Sequence, residues 1–163
     1  MIEPVNPKSP WAPTEIVELA VSGDEREWVP AAMPGVWMRP LLFDTLRGAW
    51  VNVVRMRTEG FISRHHHPAP VHGYVIKGSW RYLERDWVAE AGSYVFEAPG
   101  DTHTLWAEPG ESLTLFWINS CLIELDEQGQ PIGAADVFTR IDQAERHYEA
   151  VGLGADYVKR YVR

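Results

Sequence analysis

Gly60-Phe61-Ile62-Ser63-Arg64-His65-His66-His67-Pro68-Ala69-Pro70-Val71-His72-Gly73-Tyr74-Val75-Ile76-Lys77-Gly78 is the stretch on which the fold turns. Four of the chain's six histidines fall inside it. On an extended chain, residues i and i+2 point to the same side. His65 and His67 therefore share a side, and His66 faces away. Two imidazoles on one side can grip one metal ion, and an open site needs at least a third protein ligand. His103 follows the turn Ala98-Pro99-Gly100-Asp101, and two or three predicted strands separate it from His67. In a barrel of hairpins that separation can close in space.

Outward from this stretch, short apolar or alternating segments recur between Gly, Pro and Asp. They run 36–43, 49–57, 71–77, 80–84, 87–90, 93–97, 102–107 and 113–125, and are rich in Val, Ile, Leu, Trp, Tyr and Phe. Such residues fit strands, and breaks at Gly60, Gly78, Gly92, Gly100 and Gly110 punctuate them. Many strands at this spacing predict an all-β sandwich or barrel. One segment reads as helix: Asp142 caps a run through Val151, and Gly152 stops it. Met1 to Pro13 hold four prolines and read as an extended arm, with Trp11 as its anchor. The expected organisation is an N-terminal arm over 1–24, a barrel over 25–135, and a C-terminal helix and tail over 136–163.

Composition sets limits on chemistry. With 163 residues and eight Trp, the chain is long enough and apolar enough for one buried core. A single cysteine, Cys121, excludes an internal disulfide and a thiolate-built zinc site. It reads as a small buried apolar residue. Any transition metal must therefore sit on histidine and carboxylate. Fifteen Lys plus Arg against 23 Asp plus Glu give a formal net charge of −8, which argues against general nucleic-acid binding. No signal-like run and no membrane-length apolar stretch is visible, so the expectation is a cytoplasmic protein with neither nucleic-acid nor membrane partners.

The glycines and histidines together resemble the two signature motifs of the cupin superfamily. Gly60, His65, His67 and Val71 to Gly78 resemble the first; Gly92, Pro99-Gly100 and His103 resemble the second. The resemblance implies a cupin-type β-barrel (double-stranded β-helix) with an arm and a short C-terminal α-helix. The family's usual carboxylate ligand is missing. Its place falls at Val71, or at His72 by the alternative spacing. The runs 67–84 and 91–105 further resemble the 2,4′-dihydroxyacetophenone dioxygenase family. That likeness implies iron on His65, His67 and His103, with room for substrate and O₂, and cleavage of a C–C bond beside a carbonyl. Fe(II) is the expected metal, with Zn(II) or Ni(II) as substitutes in isolated protein. Neutral imidazoles would leave the ion its full charge, which favours an anionic chelate such as an enolate.

Other groups complete the expectation. Glu97, six residues before His103, is a candidate for orienting a histidine or accepting a proton. His72 is a candidate for a supporting role beside the metal or for direct ligation. Tyr74, Tyr94, Phe96 and Trp106 would line a pocket suited to a phenyl ketone. His66 and His147 read as bystanders. The leading function is a dioxygenase acting on a small, aromatic hydroxyketone or diketone. Its rivals are a non-catalytic metal-bearing binding module and a zinc-dependent lyase or hydrolase. Edge strands and the Pro-rich arm predict a homodimer.

Overall fold

The computed structural model describes residues 14–163. The expected arm over Met1 to Pro13, and Trp11 with it, lies outside the described residues. Twelve strands and one α-helix follow: β1 (Val29–Pro30), β2 (Val36–Asp44), β3 (Ala49–Met56), β4 (Gly60–His67), β5 (Val71–Lys77), β6 (Ser79–Tyr82), β7 (Ala89–Glu90), β8 (Tyr94–Glu97), β9 (Asp101–Ala107), β10 (Ser112–Asn119), β11 (Leu122–Leu125), β12 (Pro131–Ala135) and α1 (Val137–Ala150). They form two six-stranded sheets, ordered β1-β2-β3-β10-β5-β8 and β12-β11-β4-β9-β6-β7. Every pairing between these strands is antiparallel, and one isolated parallel bridge joins Phe43 to Val162. The architecture is all-β, with the helix at the C-terminal end.

Alternation along the strands fixes which side chains fill the space between the sheets. From the first sheet come Val36, Phe43, Trp50, Met56, Val71, Val75, Phe116 and Ile118; from the second come Trp80, Tyr82, Leu105 and Ala107. Trp80 is wholly buried, donates from Nε1 to the Thr114 hydroxyl at 2.9 Å, and packs against Tyr82 and Phe116. A smaller cluster forms on the outer face of the first sheet, where Trp28 covers Val53 and Leu113. Arg55 lies 4.2 Å above the Trp28 ring and pairs with Glu25. Arg39, 1% exposed, is held by Glu27 at 3.0 Å and Glu18 at 3.4 Å. These ion pairs fasten the segment before β1 across part of that face.

The predicted 113–125 segment is two strands. Ser120, at φ 88°, turns the chain between β10 and β11. The helix starts earlier than its predicted cap at Asp142. Asp136 accepts from the Thr139 backbone, and Thr139 returns a bond to Asp136, forming a capping box. The helix lays Val137, Ala144 and Tyr148 onto the β1–β2 edge. Cys121 is half-buried rather than buried.

Gly78 closes the β5–β6 turn at φ +70°, and a Cβ there would stand 2.4 Å from the Glu111 carbonyl oxygen and 2.8 Å from Ser112 Cα. Both obstacles are backbone and cannot swing aside. Gly78→Ala is expected to cost at least about 2 kcal/mol, combining a left-handed non-glycine residue with a clash. Chemical denaturation with an unchanged m-value would check it.

Candidate metal centre

β4 and β9 lie side by side in the second sheet, with His65 directly opposite His103 and His67 opposite Asp101. Residues opposite each other in an antiparallel pair share a face. His65, His67 and His103 therefore all point between the sheets, and His66 points outward, where its Nδ1 meets Thr102 Oγ1. Ring centroids are 4.7 Å apart for His65 and His103, 5.0 Å for His67 and His103, and 6.2 Å for His65 and His67.

The fourth group comes from the first sheet. Glu97 on β8, 4% exposed, reaches across the interior. Its Oε2 lies 3.2 Å from His67 Nε2 and 3.5 Å from His103 Nε2. The Nε2 atoms of His65 and His103 are 3.1 Å apart. One ligand atom each from His65, Glu97 and His103 lies within 4.8 Å of the other two.

Each imidazole is oriented from behind. His67 Nδ1 faces the Ala69 carbonyl at 3.0 Å, His103 Nδ1 faces Asp101 Oδ2 at 3.3 Å, and His65 Nδ1 faces Ser63 Oγ at 3.1 Å. A carbonyl or carboxylate can only accept, so Nδ1 of His67 and of His103 carries the proton. Asp101 is itself gripped by Arg85 at 2.7 Å. The Tyr82 ring stacks on His103 at 3.6 Å and 10°, and its hydroxyl donates to Glu97 Oε1 at 2.6 Å. This is the usual support of a metal-binding histidine, whose outer nitrogen donates while the inner one faces the ion.

Electrostatics follow from this geometry. Burial, the neighbouring charge of His103 and that of His67 hold His65 down to about 3 despite Glu97, so it is neutral at physiological pH. Burial also pushes His67 down, but the hydrogen bond and charge of Glu97 outweigh it and the net shift is upward. For Glu97, burial raises the pKa, yet His67, Tyr82 and the His103 charge outweigh it and the carboxyl is lowered. Burial, ahead of the attraction to Glu97, lowers His103. Glu97 thus favours the protonated form of His67, and His67 favours the ionised form of Glu97. The cluster of His65, His103 and Glu97 has the size that suits a divalent cation, and His67 Nε2 lies 3.2 Å from the same Glu97 oxygen.

The other expected site residues lie elsewhere. His72 pairs in register with Phe96 and Trp117, one residue out of phase with inward Val71, so it faces the outside of the first sheet. Its Nδ1 meets the Tyr94 hydroxyl at 2.8 Å. Tyr74, Tyr94 and Phe96 share that outer face and are half-exposed or more. Trp106, out of phase with His103, faces outward from the second sheet over Gly60. The expected roles of His72 beside the metal and of these four rings as a pocket wall are corrected by strand parity. The absent acid at Val71 also has a counterpart. Val71 pairs directly with Glu97, so the neighbouring strand presents a carboxylate beside that position. The expected carboxylate-free charge is corrected with it. Asp101, Ser63 and Arg85 are site neighbours beyond those expected, and Tyr82, expected only as one of the strand aromatics, stacks on the site. The only signal for Asp101 and Ser63 was their i−2 spacing to His103 and His65.

The family model of the ChrR cupin-like domain matches residues 17–121. An RmlC-like cupin protein from Ralstonia eutropha JMP134 is 30% identical, with a TM-score of 0.75 over 84% of this chain and 90% of its own. An acetylacetone dioxygenase from Acinetobacter johnsonii shares the fold at 18% identity, with a TM-score of 0.71 over 86% of this chain and 99% of its own. The anti-sigma ChrR of Rhodobacter sphaeroides, in complex with SigE, superposes with a TM-score of 0.51 at 19% identity, over 60% of this chain and 52% of that one. No curated protein matches significantly.

Proposed function

The chain belongs to the family of ChrR cupin-like domains, and from that premise we propose that it is a metal-dependent oxygenase cleaving a C–C bond in a small enolisable carbonyl compound. The observation that carries the reading is the clustering of His65, His103 and Glu97 between the sheets, with His67 Nε2 3.2 Å from the same carboxylate oxygen. His65, His67 and His103 would hold the ion, with Glu97 as fourth donor or as the charge that positions them. A bound Fe(II) would supply Lewis acidity and a route for O₂ to react with an electron-rich enolate. The chain's own part is orientation. Both Glu97 oxygens are engaged, Oε1 by Tyr82 and Oε2 by the imidazoles, so the group holds charge rather than shuttling a proton. The motif resemblance and the shared fold of the acetylacetone-cleaving enzyme support a hydroxyketone or diketone substrate. With Tyr74, Tyr94 and Phe96 turned outward, an aromatic substrate loses its support.

The test is an oxygen-electrode screen of iron-reconstituted protein against 2-hydroxyketones and 1,3-diketones. O₂ uptake with two carbonyl-derived fragments is expected; no uptake across the panel from iron-loaded protein would sink the reading. The ChrR family match favours one other reading, a metal-bearing domain that binds without turnover. It would show ligand capture with no O₂ consumed.

Metal uptake should also depend on pH in a defined direction. The raised His67 pKa means its proton must leave when a metal binds. Affinity should therefore climb with pH beyond the ordinary histidine value of about 6.5, with release of about one proton. Calorimetry in buffers of different ionisation enthalpy reads that proton directly. In Glu97→Gln, affinity should drop about 10–100-fold and the pH dependence should shrink.

A further inference from the structure

We propose that the cleft between α1 and the inner face of β2 and β3 binds a small organic carboxylate, with Arg140 as its counter-ion. Helix periodicity sets Arg140, Gln143 and Ala144 on one face of α1, and Ala144 is buried there. Opposite them, Met38, Pro40, Phe43 and Trp50 form an apolar wall. Asn52 stands in that wall. Two residues from core Trp50, it shares the inward side and is 4% exposed. The space between these side chains is about 240 Å³, part of it open to solvent. That suits a short-chain carboxylate, acetate to butyrate, rather than a larger ligand.

Two polar groups in the cleft lack partners. Arg140 donates from Nη1 to Gln143 Oε1 at 2.9 Å and forms no ion pair with any described residue. Its Nε is shielded from water and has no hydrogen-bond partner. Gln143 is itself fixed, since its Nε2 donates to the Pro30 carbonyl at 2.8 Å. The Asn52 amide makes no side-chain hydrogen bond to any described residue. Buried polar groups are ordinarily paired, and a cation withdrawn from water without a counter-ion is the costliest case. Burial lowers the Arg140 pKa, and the attraction of Glu124 only partly offsets it. A guanidinium nonetheless keeps its charge at neutral pH. A carboxylate answers both needs, because its oxygens would accept from Arg140 Nε and from the Asn52 amide. Its short apolar tail would meet the wall, which an inorganic anion cannot do. None of these residues belongs to the metal cluster, so the site does not depend on the oxygenase reading.

Nuclear magnetic resonance of the full chain tests it, with sodium propionate replacing sodium chloride at constant ionic strength. A site that takes any anion shows no change under that exchange. Saturable shifts are expected at the Arg140 Nε–H and the Asn52 side-chain amide, with a dissociation constant of about 1–10 mM. Metal-free and zinc-loaded protein should respond alike. Arg140→Gln should weaken binding at least about 10-fold, the loss of a charge-assisted hydrogen bond, and Asn52→Leu about 5-fold. Arg146→Gln removes a cation from the exposed side of the same helix and should leave the affinity unchanged. Absence of saturable shifts at these two groups in the wild type would overturn the proposal. So would a response that requires the metal, or equal affinity in Arg140→Gln and Arg146→Gln.

Discussion

The His103→Ala protein is expected to bind divalent metal at least about 100-fold more weakly than the wild type while remaining folded. His103 is fully buried at the centre of the cluster, with its Nε2 within 3.5 Å of both His65 Nε2 and Glu97 Oε2. The substitution deletes one of four converging donors and the ring on which Tyr82 stacks. Asp101→Asn supplies the contrast. Asp101 meets His103 only at its outer nitrogen, so its substitution should cost about 10–100-fold, the usual penalty for removing a group that orients a ligand. Competition with a chromophoric chelator ranks the three proteins. Equal affinity in His103→Ala and the wild type would show that the metal binds elsewhere.

The second large effect falls on stability. Trp80→Ala should cost about 3–5 kcal/mol, the range for truncating a wholly buried large aromatic side chain. The cavity would open against Tyr82, Phe116 and Trp87, whose rings lie 5.0, 5.8 and 5.9 Å from that of Trp80. The Thr114 hydroxyl would lose its donor at a position with no exposure. For a chain of this length such a loss lowers the melting temperature by about 6–20 °C. Trp117→Ala, on the half-exposed outer face of the first sheet, should change stability by less than about 1 kcal/mol. Similar losses in the two variants would contradict the assignment of Trp80 to the core.

Legibility in the sequence followed the range of the interaction. The strands between Val36 and Ala107 other than β4 announced themselves through β-branched and aromatic residues between glycines, because alternation and turn chemistry are local; β4, polar along Ser63 to His67, was not among the expected strands. The shared side of His65 and His67 was legible for the same reason. The start of α1 was hidden because Val137, Thr139 and Ile141 are β-branched, although the Asp136-x-x-Thr139 box was present. Pairing across strands was not legible. That Val71 opposes Glu97, and so has a carboxylate beside it, is a fact of register between β5 and β8. Parity was the missed clue for the aromatic residues. Once Val71 and Glu97 face inward, His72, Tyr74, Tyr94 and Phe96 must face out. Hydrophobicity alone made them look like a pocket wall.

The most direct measurement of the central claim is an anomalous difference map, recorded at the absorption edge of the metal that co-purifies or is soaked in. A single strong peak per chain is expected between the sheets, about 2.0–2.2 Å from Nε2 of His65, His67 and His103. A Glu97 oxygen should lie at coordinating distance or one water away. A peak at another cluster, or none in crystals of protein shown to contain metal, would contradict it.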